Sequence, residues 1–115
     1  PILFIGGAGP LRSPRDPELL VADDQDWVPG EFRAIARASV TQLRICEAHT
    51  APWTYLSPPA TLVPGRRTGR YRHGTTTLLV GPDGSSRISA EDLALAVVDE
   101  LEDGGGPGRH MTVGY

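Results

Sequence analysis

The stretch Ile2-Leu3-Phe4-Ile5-Gly6-Gly7-Ala8-Gly9-Pro10 decides the fold class of this chain. Its first four residues are apolar and β-favouring, which predicts a strand over residues 2–5. The strand ends abruptly in glycine, alanine and proline. α/β proteins use such a turn to bring bare backbone close to a nucleotide or a small substrate, because residues without large side chains permit close approach. The stretch therefore predicts an α/β fold with a binding turn after its first strand.

Two later segments carry helical patterns. Over residues 31–48, apolar side chains recur at helical spacing with arginines on the other face, which predicts an amphipathic helix. A second helix is predicted to begin at Ser89 and to end near Glu102. Ser89 is an N-cap residue with Asp92 three positions later, which is the pattern of a capping box. Asp92 is therefore interpreted as a structural capping residue.

Short β segments complete the order of elements. Residues 53–56 form a predicted strand that the two prolines at 58–59 stop, and residues 110–114 form the last strand. Strand, helix, strand, helix, strand in this order favours parallel pairing with right-handed crossovers. A complete doubly wound sheet has about six strands. Three core strands and two helices therefore indicate the back half of such a sheet, within one domain over residues 1–115.

Three other segments carry weaker patterns, and two of them leave alternatives open. Residues 10–30 are irregular and rich in proline, which is typical either of a functional loop or lid or of a solvated connection. Residues 71–72 and 75–80 are predicted to pair as a small extended hairpin. Four arginines form either an anion site, for a 2′-phosphate or an acidic substrate, or a solvated surface. These arginines are Arg66, Arg67, Arg70 and Arg72.

The composition excludes several classes of function. The net charge of −3 at pH 7 gives no electrostatic case for nucleic-acid binding. The chain contains no lysine, so it cannot form a Schiff base with a substrate. Cys46 is the single cysteine, which rules out an internal disulfide and gives no metal cluster. No apolar stretch reaches transmembrane length and no signal peptide is visible, so the default expectation is a cytoplasmic protein without a membrane partner.

Five motifs follow one another in the order found in a known family. They are Gly6-Gly7-Ala8-Gly9, residues 52–59 (PWTYLSPP), Thr68-Gly69-Arg70-Tyr71, residues 86–94 (SRISAEDLA) and Thr112-Val113-Gly114-Tyr115. Together they resemble the C-terminal half of an atypical short-chain dehydrogenase. The closest group is the NAD(P)H-binding, NmrA-like proteins of the flavin reductase or biliverdin reductase B type. The resemblance covers nearly the whole chain and implies a partial Rossmann-like fold that binds NADP or NAD.

The resemblance also implies where the site lies. Gly6-Gly7-Ala8-Gly9 matches the end of the family's fourth strand, which passes beside the nicotinamide, and the segment after the strand at 53–56 lines the other side of the same pocket. Hydride transfer needs two flat rings in near contact, so tight, rigid walls make chemical sense there. The implied cofactor-binding residues are Gly6, Gly7, Ala8, Ser57, Pro58, Pro59 and Ala60. The implied substrate residues are Gly9, Pro10, Leu11 and Tyr71, and Tyr71 is also the candidate catalytic acid.

Two departures from the family leave the activity open. Ala8 and Ala60 stand where flavin and biliverdin reductases of this type carry a serine and a histidine. The Tyr-x-x-x-Lys pair of ordinary short-chain dehydrogenases is also absent. One hypothesis is an NAD(P)H-dependent oxidoreductase that reduces a small flavin or quinone-like acceptor. The alternative is a non-catalytic NmrA-like protein that senses NADP(H).

A remote third hypothesis rests on the first residue. Pro1 precedes a strand, as in tautomerases that use an N-terminal proline amine as a general base, but the remainder of the chain fits that family poorly. Under the first two hypotheses the strand over residues 2–5 is an exposed edge. We therefore expect that the fold needs a missing N-terminal half or a second chain to complete it.

Overall fold

The computed structural model describes residues 2–103 and 108–115. Pro1, on which the tautomerase hypothesis depends, lies outside the described residues. Two helices and six strands follow in chain order. The helices are α1 (Arg33–Glu47) and α2 (Ala90–Glu102). The strands are β1 (Ile2–Ile5), β2 (Trp53–Ser57), β3 (Thr61–Val63), β4 (Arg72–Gly74), β5 (Arg87–Ser89) and β6 (Arg109–Gly114).

The main sheet has the strand order β1-β2-β6-β4. The first three strands are parallel, with Phe4 opposite Tyr55 and Leu56 opposite Met111. β4 lies at the end of the sheet and runs antiparallel to β6. The prediction of an α/β fold with three parallel core strands and two helices is confirmed.

The predicted hairpin between residues 71–72 and residues 75–80 is wrong. β4 pairs instead with β6, placing Arg72 opposite Gly114, and Thr77 forms an isolated bridge to Arg12. Pairing with β6 lets β4 extend a sheet that already exists, whereas an isolated two-stranded hairpin is marginal in water. The sequence patterns also missed a second sheet, in which β3 and β5 pair in parallel.

Each helix covers one face of the main sheet. Tyr55 packs against Leu43 and Cys46 of α1, while its neighbour Leu56 packs against Leu93 and Ala96 of α2. Because successive side chains of a strand point to opposite faces, the two helices lie on opposite sides of the sheet. The domain is therefore a three-layer α/β/α arrangement.

The apolar face of α1 is only partly buried. The helical prediction over residues 31–48 is confirmed, with a short 3-10 turn over Gly30–Phe32 leading into α1. Val40 is 4% exposed, but Ile35 is 69% exposed. Ile2 and Ile5 on edge strand β1 are also more than half exposed. An apolar surface on β1 and the start of α1 is thus left uncovered in the described chain.

The irregular segment over residues 10–30 is packed rather than merely solvated. Leu11 and Val21 form a core cluster with Leu78. Buried Asp24 accepts a hydrogen bond of 2.7 Å from the Ser13 hydroxyl and two from the Arg15 guanidinium, at 3.1 and 3.2 Å. These interactions stabilise the base of the loop.

Within residues 2–103 and 108–115, no helix has the length and apolar character needed to cross a membrane.

Candidate functional site

The carboxyl ends of the parallel strands bring the predicted site segments to one edge of the sheet. β1 ends before Gly6, β2 ends before Pro58, and β6 ends before Tyr115. The Gly6 N–H donates a 3.0 Å hydrogen bond to the Leu56 carbonyl, so the glycine turn continues alongside the end of β2. Open α/β sheets bind ligands at this edge, because the loops that follow the strands meet there.

The glycines of the turn are required by the protein's own packing. A Cβ on Gly6 would lie 1.7 Å from the Tyr55 hydroxyl oxygen, and one on Gly9 would lie 2.3 Å from the Ala36 carbonyl oxygen. The turn therefore fits closely against α1 and β2. Gly7 and Ala8 are only half-buried, so part of their backbone remains accessible to a ligand.

Tyr55 is a packing residue, as its place in a strand indicates. It is fully buried, and its hydroxyl donates to the Gln42 side-chain oxygen at 2.8 Å and lies 3.2 Å from the Ser39 carbonyl oxygen. Burial raises the pKa of Tyr55. The ring thus anchors α1 to the sheet directly beneath the glycine turn.

The wall that follows β2 is rigid. Pro58 and Pro59 are buried, whereas Ala60 is exposed and its N–H donates to the Ser86 hydroxyl at 3.1 Å. Ser57 is fully buried and its hydroxyl lies 2.8 Å from Nε2 of His110. Its carbonyl accepts a 2.6 Å hydrogen bond from the Thr112 hydroxyl. The Ser57 side chain is thus held inside the protein, and cofactor contact by residues 57–60 stays a prediction.

The predicted substrate residues after β1 also have packing roles. Gly9, Pro10 and Leu11 are buried, and Leu11 belongs to the core cluster with Val21. The Leu11 N–H closes the turn by donating to the Ala8 carbonyl at 3.0 Å. Contact between these three residues and a substrate stays a prediction.

His110 is a residue of the candidate site that the sequence patterns did not single out. Its ring lies edge-on to Tyr55, with 5.6 Å between ring centroids. It borders a cavity of about 230 Å³ beneath Pro10 and Val40. Burial lowers the pKa of His110 to about 4, so the ring is neutral at pH 7. Alternation along β6 was the available signal, since Met111 and Val113 occupy the other face.

Asp92 is more than the capping residue that the sequence pattern predicts. The Ser89 hydroxyl accepts the Asp92 N–H at 3.0 Å, so the predicted N-cap is confirmed. The Asp92 carboxylate, however, does not return to the Ser89 backbone. It is fully buried and accepts hydrogen bonds from both the N–H and the hydroxyl of Thr68, from the Gly69 N–H and from the Tyr115 hydroxyl.

These hydrogen bonds determine the ionisation of Asp92. Burial acts to raise the pKa of its carboxyl group, but the donors from Thr68, Tyr115 and Gly69 outweigh it and hold the pKa at about 2. Asp92 is therefore ionised at neutral pH. The Ser89 N–H is instead 3.3 Å from the Tyr115 hydroxyl oxygen. The charged side chain fastens the loop before β4 and the end of β6 to the start of α2.

Tyr71 lies in a groove with arginines rather than with the glycine turn. Its half-buried ring packs against the core beneath α2, and its hydroxyl donates to Asp99 at 3.4 Å. Burial raises the pKa of Tyr71, and the nearby Asp99 carboxylate adds to the effect. The groove that Tyr71 lines also contains Arg70, Arg72 and Tyr115 and does not include residues 6–11. The candidate acid and Gly9–Leu11 therefore do not share this groove.

No metal centre is found among residues 2–103 and 108–115, where no three His, Cys, Asp or Glu side chains are placed to hold an ion. At the carboxyl edge, the turn after β1 carries half-buried Gly7 and Ala8, and the turn after β2 carries exposed Ala60.

Comparison with known proteins finds a similar curated sequence and similar solved structures. No protein-family model matches the chain. The uncharacterised protein YwnB of Bacillus subtilis is 36% identical over 103 residues, which make up 88% of this chain and 48% of that protein. The chain thus spans about half the length of this curated relative.

Solved structures agree in fold over almost the entire chain. A Bacteroides thetaiotaomicron protein provisionally named an epimerase is 36% identical with a TM-score of 0.89, over 98% of this chain and 52% of that chain. A Streptococcus pneumoniae protein provisionally named an NADH-flavin reductase is 30% identical with a TM-score of 0.85, over 96% and 53% respectively. Over the matched residues, this chain shares the Rossmann-like α/β fold of these structures.

A third structure bears on location. A Burkholderia pseudomallei protein provisionally named an exported protein is 37% identical with a TM-score of 0.86, over 98% of this chain and 54% of that chain. One similar structure therefore carries a name that implies export. A cytoplasmic location stays a prediction.

Proposed function

We propose that this chain forms the nicotinamide and acceptor side of an NAD(P)H-dependent oxidoreductase. The observation that carries the proposal is the junction of two small-residue turns at the carboxyl edge, where the Gly6 N–H is bonded to the Leu56 carbonyl. Gly7 and Ala8, which follow Gly6, are half-buried, and Ala60, which follows the two prolines after β2, is exposed. The similarity to a structure provisionally named an NADH-flavin reductase supports the same activity.

The residues present fit one part of NAD or NADP. Flat, side-chain-poor walls suit the nicotinamide ring, which supplies a hydride when the cofactor is bound. They do not form the pyrophosphate grip of a dinucleotide site, in which a helix begins directly after the glycine turn. Here α1 begins only at Arg33, after a long packed loop. The phosphate-binding part of the site is therefore assigned to a segment beyond these residues.

A further polypeptide segment completes the fold in this proposal. β1 is an edge strand with Ile2 54% and Ile5 51% exposed, and Ile35 of α1 is also exposed. The three similar structures named above are about twice as long as this chain. A strand added beside β1 would satisfy its free backbone groups and cover the apolar surface. An N-terminal half of the same domain, or a second chain, would serve this purpose.

The proposed acceptor is a flavin or a quinone-like molecule. Ala8 and Ala60 offer no proton, and the neutral ring of His110 is turned towards Ser57 inside the protein. A hydride can pass from a nicotinamide to a flavin without a protein acid, because the two cofactor rings carry the chemistry. A substrate that needs protonation would have to take its proton from another group, because the groove that Tyr71 lines does not include the glycine turn.

The alternative is a non-catalytic NADP(H) sensor of the NmrA-like type. Ala8 and Ala60, which offer no proton, favour it, and the Tyr71 hydroxyl is engaged with Asp99. Both functions require nucleotide binding. Turnover separates them.

The test is fluorescence titration of NADPH and NADH with this chain and with the full gene product. We expect binding by the full product, and oxidation of the nucleotide when a flavin or a quinone is added. Nucleotide binding without turnover would favour the sensor, and absence of nucleotide binding would overturn both functions.

A substitution tests the position of the site. Ala60→Phe places a ring on the proposed nicotinamide wall, and Ala60 is exposed, so the fold should tolerate it. We expect nucleotide binding to weaken at least about tenfold, because steric blocking removes close ring contact. Ala94→Phe on the exposed face of α2 is the matched control and should bind as the wild type does.

A further inference from the structure

Two adjoining cavities form one groove along the loop that precedes β4. Their volumes are about 530 and 800 Å³, and both are lined by Arg70 and Tyr115. We call the combined feature the arginine groove. Pockets of such volume are typical of small-molecule sites. Four arginines line it, and they are Arg66, Arg70, Arg72 and Arg87.

The arginine groove is positive in a chain whose net charge is −3. No acidic side chain is among the residues that line either cavity. Three carboxylates nearby accept hydrogen bonds from residues of the groove wall: buried Asp92 from Thr68 and Tyr115, Glu91 from the Gly65 N–H at 3.0 Å, and Asp99 from the Tyr71 hydroxyl at 3.4 Å. Asp83 is 4.0 Å from Arg87, and both side chains are more than half exposed. A pair this exposed is weak, so Arg87 remains available to an anion.

The loop that carries the first two arginines is held in one conformation. The Arg66 carbonyl accepts a 2.8 Å hydrogen bond from the Ser89 hydroxyl. Thr68 and Gly69, which lie between Arg66 and Arg70, are bonded to the buried carboxylate of Asp92. A loop fixed in this way loses little backbone entropy when a ligand binds.

The floor of the arginine groove is apolar and aromatic. Val63, Pro64 and Ile88 line it together with Tyr115, and the Arg87 guanidinium lies 5.2 Å from the centre of the Tyr115 ring. A planar apolar body can pack on such a surface, while guanidinium groups match the geometry of phosphate and carboxylate oxygens. We propose that the arginine groove binds an aromatic organic anion, with its phosphate or carboxylate among Arg66, Arg70 and Arg87.

Arg72 has a different role from the other three. Its guanidinium donates hydrogen bonds of 2.7 Å to the Val80 and Tyr115 carbonyls, so it holds the wall of the groove together. Arg67 adjoins Arg66 in sequence but lines neither cavity. The two neighbours, Arg66 and Arg67, therefore provide a matched pair for a test.

The experiment compares three fluorescent probes on the full gene product without any nucleotide. The probes are 1-naphthyl phosphate, 1-naphthoate and neutral 1-naphthol, which share one ring system. We expect at least one anion to bind about tenfold more tightly than the naphthol. The anion that binds more tightly indicates whether the ligand carries a phosphate or a carboxylate. A higher salt concentration should weaken binding of the anion and leave binding of the naphthol unchanged.

Variants locate the probe. Arg66→Gln and Arg70→Gln should each weaken anion binding several-fold, and together at least about tenfold, while naphthol binding stays unchanged. Arg67→Gln should bind as the wild type does. Equal affinity for the naphthol and both anions would overturn the proposal, and so would an equal loss in Arg67→Gln.

The proposal of an anion site and the proposal of a reductase activity can be overturned independently of each other. If the probe results hold but the protein neither binds nor oxidises NAD(P)H, the anion site stands without the reductase. If NAD(P)H is oxidised but the arginine variants do not change anion binding, the reductase stands without the anion site. Thermal melting of each variant confirms that any lost binding is not lost folding.

Discussion

The Tyr115 hydroxyl donates a hydrogen bond to the buried carboxylate of Asp92 and thereby joins the residue after β6 to the first turn of α2. The same carboxylate holds Thr68 and Gly69 in the loop before β4. Three segments distant in sequence thus meet at one ionised group. This arrangement shapes the arginine groove and accounts for the burial of a charged side chain.

Replacing Asp92 by Asn should destabilise the fold. The amide of Asn presents donor hydrogens to groups that are themselves donors, so several hydrogen bonds to a charged acceptor are lost. We expect the free energy of unfolding to fall by about 2 to 3 kcal/mol, measured by urea denaturation. Exposed Asp103→Asn is the control and should change it by less than about 0.5 kcal/mol. A variant as stable as the control would show that Asp92 does not organise the loop.

His110 should make stability depend on pH below neutrality. Its pKa is lowered to about 4 by burial, so the unfolded chain, whose histidine has a pKa of about 6.5, binds the proton first. Stability therefore decreases as pH falls from about 6.5 to about 4. His110→Gln retains a side chain able to form a hydrogen bond with Ser57 but does not titrate. The urea midpoint of its unfolding should therefore change less with pH across this range than the midpoint of the wild type. Identical pH profiles for the two proteins would contradict the assignment.

Asp24 should contribute a second loss of stability in acid. Hydrogen bonds from Arg15 and Ser13 hold its pKa at about 2, against the opposing effect of burial. Because the folded-state pKa lies below the unfolded value, its stabilisation is present above about pH 4 and is lost as pH falls towards 2. Asp24→Asn should be less stable than the wild type at neutral pH, and the difference should shrink in acid. A constant difference across the titration would argue against this linkage.

Gly9→Ala should be costly although the backbone of Gly9 has no positive φ. The new Cβ would lie 2.3 Å from the Ala36 carbonyl oxygen, which belongs to a helix and cannot move freely. We expect α1 to shift and the free energy of unfolding to fall by about 1 to 3 kcal/mol. Gly30→Ala is the matched control, because a Cβ at Gly30 would have nothing within 4 Å. Equal stability of the two variants would exclude close packing as the role of Gly9.

The edge of β1 should cause this chain to associate when produced alone. Ile5 is 51% exposed on a strand whose outer backbone groups have no partner in the described chain. Ile5→Lys should reduce association in sedimentation velocity, because a charge on an edge strand opposes pairing. Val98→Lys removes a similarly exposed apolar residue from α2 and should have little effect. If both variants associate as the wild type does, the edge is not the contact.

Local patterns predicted the parts of the fold that depend on local forces. Both helices follow from the 3.6-residue period and from Ser89 as an N-cap, and the parallel order follows from the alternation of strands and helices. β3 and β5 were missed because three residues are too short for any periodicity. The partner of β4 was misassigned because pairing depends on which strand is already in place, which no neighbouring residue specifies.

For the candidate site too, the sequence predicted the features that depend on neighbouring residues and missed those that depend on distant ones. The small residues of the turns after β1 and β2 are visible in the sequence, and so is the cluster of arginines. The sequence could not reveal that Tyr55 and Ala36 make glycine necessary at positions 6 and 9, since those contacts join residues far apart in the chain. Nor could it reveal which of two adjacent arginines, Arg66 or Arg67, faces the groove.

The sequence by itself determined the α/β class, the two helices and the small-residue turns, because each depends on propensity and spacing over a few residues. Only the tertiary structure decided that Asp92 is a buried, ionised centre and that His110 is half-buried and neutral. Hydrogen bonds that form when β6, α2 and the loop before β4 come together keep the pKa of Asp92 low, and burial lowers the pKa of His110. Ionisation is thus a property of the packed protein rather than of the residue type.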